Sequence, residues 1–260
     1  MRSFTCSSPS VAYQRLLNDL LYNPEFKSSP RGQQTHEVLD YTVQITSPSA
    51  GPIVTADADR NVVIADYTKA EFELYASKTR SVADFAVAST FWKKLANPDG
   101  TINSAYGYLI WGKKCCGDPN HEIEHFEPGR MSGERVMRTP WEWSKLMLEN
   151  DPDTRQAILY FNTPDFAWVG TKDFPCTQDA QFLMREDRLY LTVKMRSNDV
   201  VKGWPYDVAW FQSLLFKMVD ELKPRYPKLE VGTYTHNAGS MHLYERDFLT
   251  ASNMIGEIAT

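Results

Sequence analysis

Two neighbouring stretches hold the residue types most able to do chemistry. Cys176 lies in Phe174-Pro175-Cys176-Thr177-Gln178-Asp179-Ala180-Gln181-Phe182, and Lys194-Met195-Arg196-Ser197-Asn198-Asp199-Val200-Val201-Lys202-Gly203-Trp204-Pro205-Tyr206-Asp207 follows it. A free cysteine is ordinarily a small buried core residue. The second stretch argues otherwise, because it gathers cations, carboxylates, a hydroxyl and a glycine in an otherwise apolar neighbourhood. Arginines beside a cysteine favour its thiolate, the nucleophilic form at neutral pH.

The elements that must position these groups belong to an ordinary globular chain. It has 260 residues, 42% hydrophobic and 23% charged, with no linker-like run, which predicts a single domain over 1–260 with a sizeable core. The net charge of -5 argues against a general nucleic-acid or membrane-surface binder, while leaving room for local basic pockets. No signal-like apolar run opens the sequence and no segment is apolar enough to span a bilayer, so a cytoplasmic location is expected. The four cysteines suggest no disulfide framework and should stay reduced.

Periodicity predicts a core-covering helix over 11–22, a loop over 27–34, and strands over 37–45 and 61–64. Arg31, at the tip of that loop, would by spacing alone be merely solvated. Helices are expected over 67–78 and 81–95; Glu71 and Glu73 lie on different faces of the first, and periodicity does not say which is buried. Segment 112–139 is irregular. It contains Cys115, Cys116, His121 and His125, but adjacent cysteines lack the ligand separation of zinc sites, so no metal is expected. A solvent-facing loop there could cover a site or a subunit contact. Further on come a short helix over 141–148, a strand over 155–161, a hairpin of 181–185 and 188–196 turning at Glu186-Asp187, and a buried helix over 208–222. Asp207 opens that helix, where by position alone it would be an N-cap. Strand-like alternation returns over 231–236 and 239–244. His242 and Tyr244 are two apart and share a face, which suits two hydrogen bonds to one sugar and equally a half-buried pair.

Taken together, Pro175-Cys176-Thr177 with Gln181-Phe182, Arg196-Ser197-Asn198-Asp199, Gly203 and His242-Leu243-Tyr244 resemble the thymidylate synthase superfamily in order and spacing. Ile102-Asn103-Ser104-Ala105-Tyr106-Gly107, Arg196 to Val201 and Gly239-Ser240-Met241-His242 are similar to its phage-type deoxycytidylate hydroxymethylase branch. The resemblance runs from about Arg31 to Phe248 and is weakest in 112–139. It implies an α/β fold (α+β in layout), a large mixed β-sheet flanked by helices, with two sheets packed back to back in a homodimer. It also implies a nucleotide substrate, 5,10-methylenetetrahydrofolate as co-substrate, and a phage that modifies its DNA as the natural setting.

By the same resemblance, Cys176 is the nucleophile adding to pyrimidine C6, Glu71 organises water and proton transfer, and Tyr106 is an active-site tyrosine. Arg196, Ser197 and the loop residue Arg31 are phosphate ligands, and Arg155 reaches the phosphate from the partner subunit. Gln181 joins the substrate side, and His242 and Tyr244 hold the ribose 3'-hydroxyl. Trp92, Asp199, Gly203 and Tyr206 form the folate side.

Base choice follows from Asp207. Thymidylate synthases carry asparagine at the matching position, able to accept from uracil N3-H and donate to O4. A carboxylate accepts from the cytosine N4 amine and shares a proton with N3, whereas uracil O4 would set acceptor against acceptor. Two positions depart from the family pattern. Gln156 stands where a second arginine is usual, so the partner's phosphate grip is expected to be weaker or differently arranged, and Thr177 replaces a common histidine. Ser197 favours a deoxyribose substrate. The sequence therefore points to a dCMP 5-hydroxymethylase, with a dCMP 5-methyltransferase, a CMP 5-hydroxymethylase of nucleoside biosynthesis, and a silent nucleotide-binding regulator as alternatives.

Overall fold

The computed structural model describes residues 1–115 and 137–256. In chain order its elements are β1 (Arg2–Cys6), α1 (Pro9–Tyr22), β2 (Phe26–Ser28), β3 (Thr35–Ile45), α2 (Ala58–Ser77), α3 (Val82–Ala88), α4 (Pro140–Asn150), β4 (Ile158–Tyr160), β5 (Thr177–Arg185), β6 (Arg188–Met195), β7 (Asn198–Asp199), α5 (Trp204–Leu222), β8 (Glu230–Tyr244) and α6 (Phe248–Met254). The strands form one mixed sheet in the order β1-β3-β8-β6-β5-β4, with β2 added to β3 and β7 to β8. β1 runs parallel to β3, and β6 and β7 run parallel to β8; the other pairs are antiparallel. This is the mixed sheet flanked by helices that the sequence suggests.

The helices cover the sheet's apolar face. On β6 the alternation works as expected, with Leu189, Leu191, Val193 and Met195 all buried. α5 buries most of its length against this face and carries Trp210, Phe211, Leu214 and Leu215 into the core. On β8 the buried positions are Gly232, Tyr234, His236 and Ala238, after which parity switches to Met241 and Leu243. The partner strand β3 switches in register, from Val38 to Tyr41, where Asp40 takes a φ of 47° opposite Gly239. An extra residue in each strand thus kinks the sheet, and the switch sends His242 and Tyr244 to the face opposite Met241 and Leu243.

Several local expectations change. Segment 61–64 is helical: Asp57 caps α2 by accepting from Arg60 N at 2.9 Å, and of the β-branched run only Ile64 is buried, Val62 and Val63 being 60% and 50% exposed. One inward position in that run fits a helix face better than a strand, and β-propensity yields to the cap. The helix expected over 81–95 stops at Ala88, where Ser89 turns extended and its hydroxyl caps the short 3-10 turn Thr90–Lys94. In 155–161 only Ile158–Tyr160 pairs with β5. The two alternating stretches at the end are one strand, because β8 pairs with β6 over Glu230–Ala238 and with β3 over Tyr234–Tyr244, so its pairing runs unbroken through the junction. Cys116, His121 and His125 lie outside the described residues; Cys115 is exposed. Among the described residues no helix is long and apolar enough to cross a membrane, and no group of three or more His, Cys, Asp or Glu could hold a metal.

Candidate active site

The β5–β6 hairpin brings the two chemically loaded stretches together. Thr177 pairs with Met195, and Arg196 N donates to the Cys176 carbonyl at 2.8 Å, so the cysteine and arginine sit side by side at the hairpin's open end. The guanidinium is held by its own surroundings: Nε donates to Pro175 O at 3.1 Å, Nη2 to Phe174 O at 2.7 Å and Nη1 to Ser197 Oγ at 3.1 Å. Its Nη2 also lies 3.6 Å from Cys176 Sγ, and Ser197 Oγ lies 3.7 Å from it. The expectation of a lowered thiol pKa needs correction. Burial pushes the Cys176 thiol up, with Asp207 and Asp173 adding to the rise, and Arg196 and Ser197 offset only part of it.

Asp207 approaches from α5. It is not the N-cap, which is Gly203; it sits one turn in, with Oδ2 accepting from Asn198 Nδ2 at 2.7 Å. Gly203 makes that contact sterically open, since a Cβ there would lie 2.8 Å from Asn198 Nδ2 and 3.2 Å from Asp207 Oδ2. Burial raises the Asp207 carboxyl to about 7, against the Asn198 hydrogen bond that lowers it. Glu71, the buried member of the α2 pair, is pushed up to about 8 by burial and then by the Asp207 charge, while the Tyr75 hydroxyl donating to its Oε1 at 3.1 Å pulls the other way. Glu73 is exposed. Near neutral pH both Glu71 and Asp207 are therefore proton holders.

Tyr106 completes the inner wall. Its hydroxyl accepts from Thr177 N at 3.2 Å and Thr177 Oγ1 at 3.0 Å, leaving its own proton to be donated elsewhere. Thr177, where the family commonly has histidine, is thus tied to the tyrosine. The Tyr106 loop is anchored by buried Asp173, whose carboxylate accepts from Asn103 N, Ser104 N and Ser104 Oγ.

A second wall is aromatic. Trp92 Nε1 donates to Tyr67 OH at 3.3 Å, Tyr67 packs edge-on against Tyr206 at 4.6 Å, and Arg60 Nη2 donates to Tyr206 OH at 3.0 Å. Tyr67 senses the charge of both Glu71 and Asp207, so this wall faces the two carboxyls. A flat conjugated ring would fit such a surface. Asp199 Oδ1 is occupied by Val201 N and Lys202 N at 2.8 and 3.0 Å, shaping the turn before Gly203.

The remaining residues lie further out. His242 and Tyr244 meet edge to face at 5.2 Å, as their shared face requires, and the Arg246 guanidinium covers the Tyr244 ring. Arg31 is exposed with a φ of 54°, close enough for its charge to act on Tyr244. Gln181 spends its amide on the carbonyl of Arg155 at 2.9 Å. Arg155 and Gln156 are exposed at the β4 edge, away from the Cys176 cluster. Sequence reasoning passed over Asn198, Tyr234, His236, Thr177 and Asp173 as participants. A signal existed for two of them: Tyr234 and His236 are polar groups at inward positions of a core strand.

The fold and this cluster define a protein class. The thymidylate synthase profile matches residues 11–257, and the chain belongs to the thymidylate synthase family. Among relatives, it is 31% identical over 190 residues to the deoxycytidylate 5-hydroxymethyltransferase of Enterobacteria phage T6, covering 70% of this chain and 68% of that protein. The phage T4 enzyme of the same name is 30% identical over the same shares. Thymidylate synthase 1 of Bacillus spizizenii is 29% identical over 60% of this chain and 48% of its own. In fold the chain resembles the thermostable thymidylate synthase A from Bacillus subtilis, with a TM-score of 0.67 and 23% identity over 95% of this chain and 84% of that one.

Proposed function

We propose that the protein is a deoxycytidylate 5-hydroxymethyltransferase acting through a covalent Cys176 adduct, with 1–260 as one catalytic domain. The observation that carries this reading is half-buried Asp207 facing the Cys176 cluster, where an amide would suit uracil and a carboxyl suits cytosine. Similarity to phage deoxycytidylate 5-hydroxymethyltransferases supports it, and with it a role in supplying modified deoxycytidylate for DNA in an infected host's cytoplasm.

In this reading Arg196, Ser197 and Arg31 bind the phosphate, with Arg155 reaching in from a second subunit, and His242 and Tyr244 hold the ribose. The carbonyls of Phe174 and Pro175 fix the Arg196 guanidinium before substrate arrives, which removes an ordering cost from binding. Asp207 donates its proton to N3 while accepting from the N4 amine; the thiol gives its proton to solvent as sulfur bonds to C6, making C5 nucleophilic. 5,10-Methylenetetrahydrofolate, held against Trp92, Tyr67 and Tyr206 near Asp199 and Gly203, would supply the one-carbon unit: C5 bonds to its methylene carbon, the C5 proton passes to solvent, and the methylene–nitrogen bond breaks with a proton from Glu71, so that tetrahydrofolate leaves and an exocyclic methylene remains on C5. Glu71, having given its proton to the departing folate nitrogen, is then a carboxylate that positions a water and accepts its proton as oxygen adds to the methylene; the Cys176–C6 bond breaks as Asp207 takes back the N3 proton, and the hydroxymethyl product leaves. The polar sheet face carrying Thr42, Thr192 and Thr235, together with exposed Gln44 and Lys194, would pack against a second copy, placing Arg155 at the subunit boundary.

The test is mass spectrometry of products from dCMP, CMP and dUMP with 5,10-methylenetetrahydrofolate, using wild type and Cys176→Ala. A hydroxymethyl gain on dCMP that disappears in the variant is expected. A methyl gain, a preference for CMP, turnover of dUMP, or no product from any nucleotide would each overturn the reading.

A further inference from the structure

Behind Asp207 lies a line of buried polar groups to which the reaction as written assigns no part. Tyr234, His236 and Asn198 are at most 2% exposed, deep between β8 and α5. Tyr234 OH lies 2.9 Å from His236 Nδ1, His236 Nε2 lies 3.1 Å from Asn198 Oδ1, and Asn198 Nδ2 lies 2.7 Å from Asp207 Oδ2. Trp204 closes the side of the imidazole at 6.2 Å. Burying such groups is costly unless each is satisfied, so a complete chain ending on a site residue calls for a use.

The chain has a direction. With its amide nitrogen toward Asp207, Asn198 offers only oxygen to His236. The imidazole must then carry its proton on Nε2, and Nδ1 must accept from Tyr234. Burial keeps that ring neutral, holding its pKa down at about 3, so a single tautomer satisfies the line. At the far end Asp207 Oδ2 always receives a donor. An oxygen receiving a donor is best left unprotonated, so a shared proton sits on Oδ1, which makes no hydrogen bond among the described residues.

We propose that Tyr234, His236 and Asn198 are positioning residues that fix which Asp207 oxygen bears the proton, and that this makes the carboxyl read cytosine and refuse uracil. The proposal rests on the dCMP reading and deepens it. A neutral carboxyl is by itself ambiguous. With the proton on Oδ1 it donates to cytosine N3 and accepts the N4 amine on Oδ2. With the proton on Oδ2 it could instead donate to uracil O4 and accept N3-H on Oδ1. Asp207 alone therefore does not exclude uracil; the Asn198 amide removes the second arrangement, and His236 and Tyr234 keep that amide from turning over. Gly203 leaves the amide room to hold this orientation.

The experiment measures equilibrium binding of dCMP and dUMP, and kcat/KM for both, in the full-length protein and in Asn198→Ala, Tyr234→Phe and His236→Gln. Glutamine can still donate to Asn198 Oδ1 and accept from Tyr234. The dCMP:dUMP ratio should fall at least tenfold in Asn198→Ala and Tyr234→Phe and recover to within about threefold of wild type in His236→Gln, that tenfold being about 1.4 kcal/mol. Nitrogen-15 NMR of the substrate-free protein should show His236 protonated on Nε2 in wild type. Equal loss of both nucleotides with an unchanged ratio, in variants that melt normally, would overturn the proposal, as would an Nδ1-protonated ring. A wild type without preference for dCMP, but with the ring protonated on Nε2, would overturn the proposed substrate while leaving the line's direction standing.

Discussion

Two carboxyls inside the site, Glu71 buried and Asp207 half-buried, hold their protons tightly and should make the folded protein less stable as pH rises. Glu71 goes from 4.5 to about 8 on folding and Asp207 from 3.8 to about 7, so each binds more proton folded than unfolded between those limits. Stability from such a group is present at low pH and lost as pH climbs toward the folded value. His236 acts in the opposite sense: lowered from 6.5 to about 3, it costs stability as pH falls below 6.5. The clean window is therefore pH 6.5 to 8, above the histidine's range and below the end of Glu71's.

Across that window Glu71 gives up about 2 kcal/mol at about 1.4 kcal/mol per pH unit, and Asp207 adds less than about 1 kcal/mol before passing its own value. The two carboxyls interact, so the sum is the meaningful quantity, about 2–3 kcal/mol. At about 2–4 °C per kcal/mol for a chain of this size, wild type should lose roughly 5–10 °C in Tm. Glu71→Gln keeps the shape, can still accept from Tyr75 and removes the larger titration, so its Tm should fall over the same range by only the share left to Asp207, at most about 2–4 °C. Scanning calorimetry at matched scan rates, without ligands, measures both. Parallel wild-type and variant curves would refute the assignment of Glu71 as a buried proton holder.

Peptide-resolved alkylation by iodoacetamide should find Cys176 of the free protein reacting faster as pH rises past 9, its ordinary value, with no plateau near neutrality; a plateau below pH 8 would show a preformed thiolate. Gly107→Ala would place a Cβ 1.9 Å from Tyr75 O, a backbone clash that should cost more than about 3 kcal/mol and leave little soluble protein on expression. Thr177→Val removes the hydroxyl donor to Tyr106 and should cost about 1 kcal/mol of stability by chemical denaturation while lowering kcat more than it alters KM.

The legibility of the chain follows from which forces are local. The β5–β6 hairpin, α5 and the buried alternation of β6 could be read directly, because a face of apolar residues at fixed period leaves one arrangement. The site's main members were readable only through family resemblance, since nothing in the spacing of Glu71, Tyr106, Cys176 and Asp207 brings four distant elements together. Segment 61–64 misled because three β-branched residues outweigh, to the eye, one capping aspartate before them. Asn198 and His236 were missed for a different reason. Their roles come from facing each other across β7 and β8, a tertiary fact that neither motif contains, although inward polar positions on β8 gave half of it away.

The state of the thiol bears on how the proposed reaction discriminates. With Cys176 pushed up despite Arg196 at 3.6 Å, a preformed thiolate is a minority at neutral pH, and an arriving phosphate would weaken the arginine's pull further. In the proposed reaction, attack on C6 would then be drawn by protonation of the ring at N3 more than driven by a resident anion. There Asp207, raised to about 7, would both recognise the base and activate it. A nucleotide that misfits Asp207 therefore loses twice, once in binding and again in the step that makes C6 electrophilic. Interactions realised in the transition state appear in kcat. Discrimination against dUMP should accordingly show in kcat as well as in KM. A dUMP reaction slowed through KM alone, with kcat equal to that of dCMP, would mean that the thiol is activated elsewhere and that Asp207 only selects.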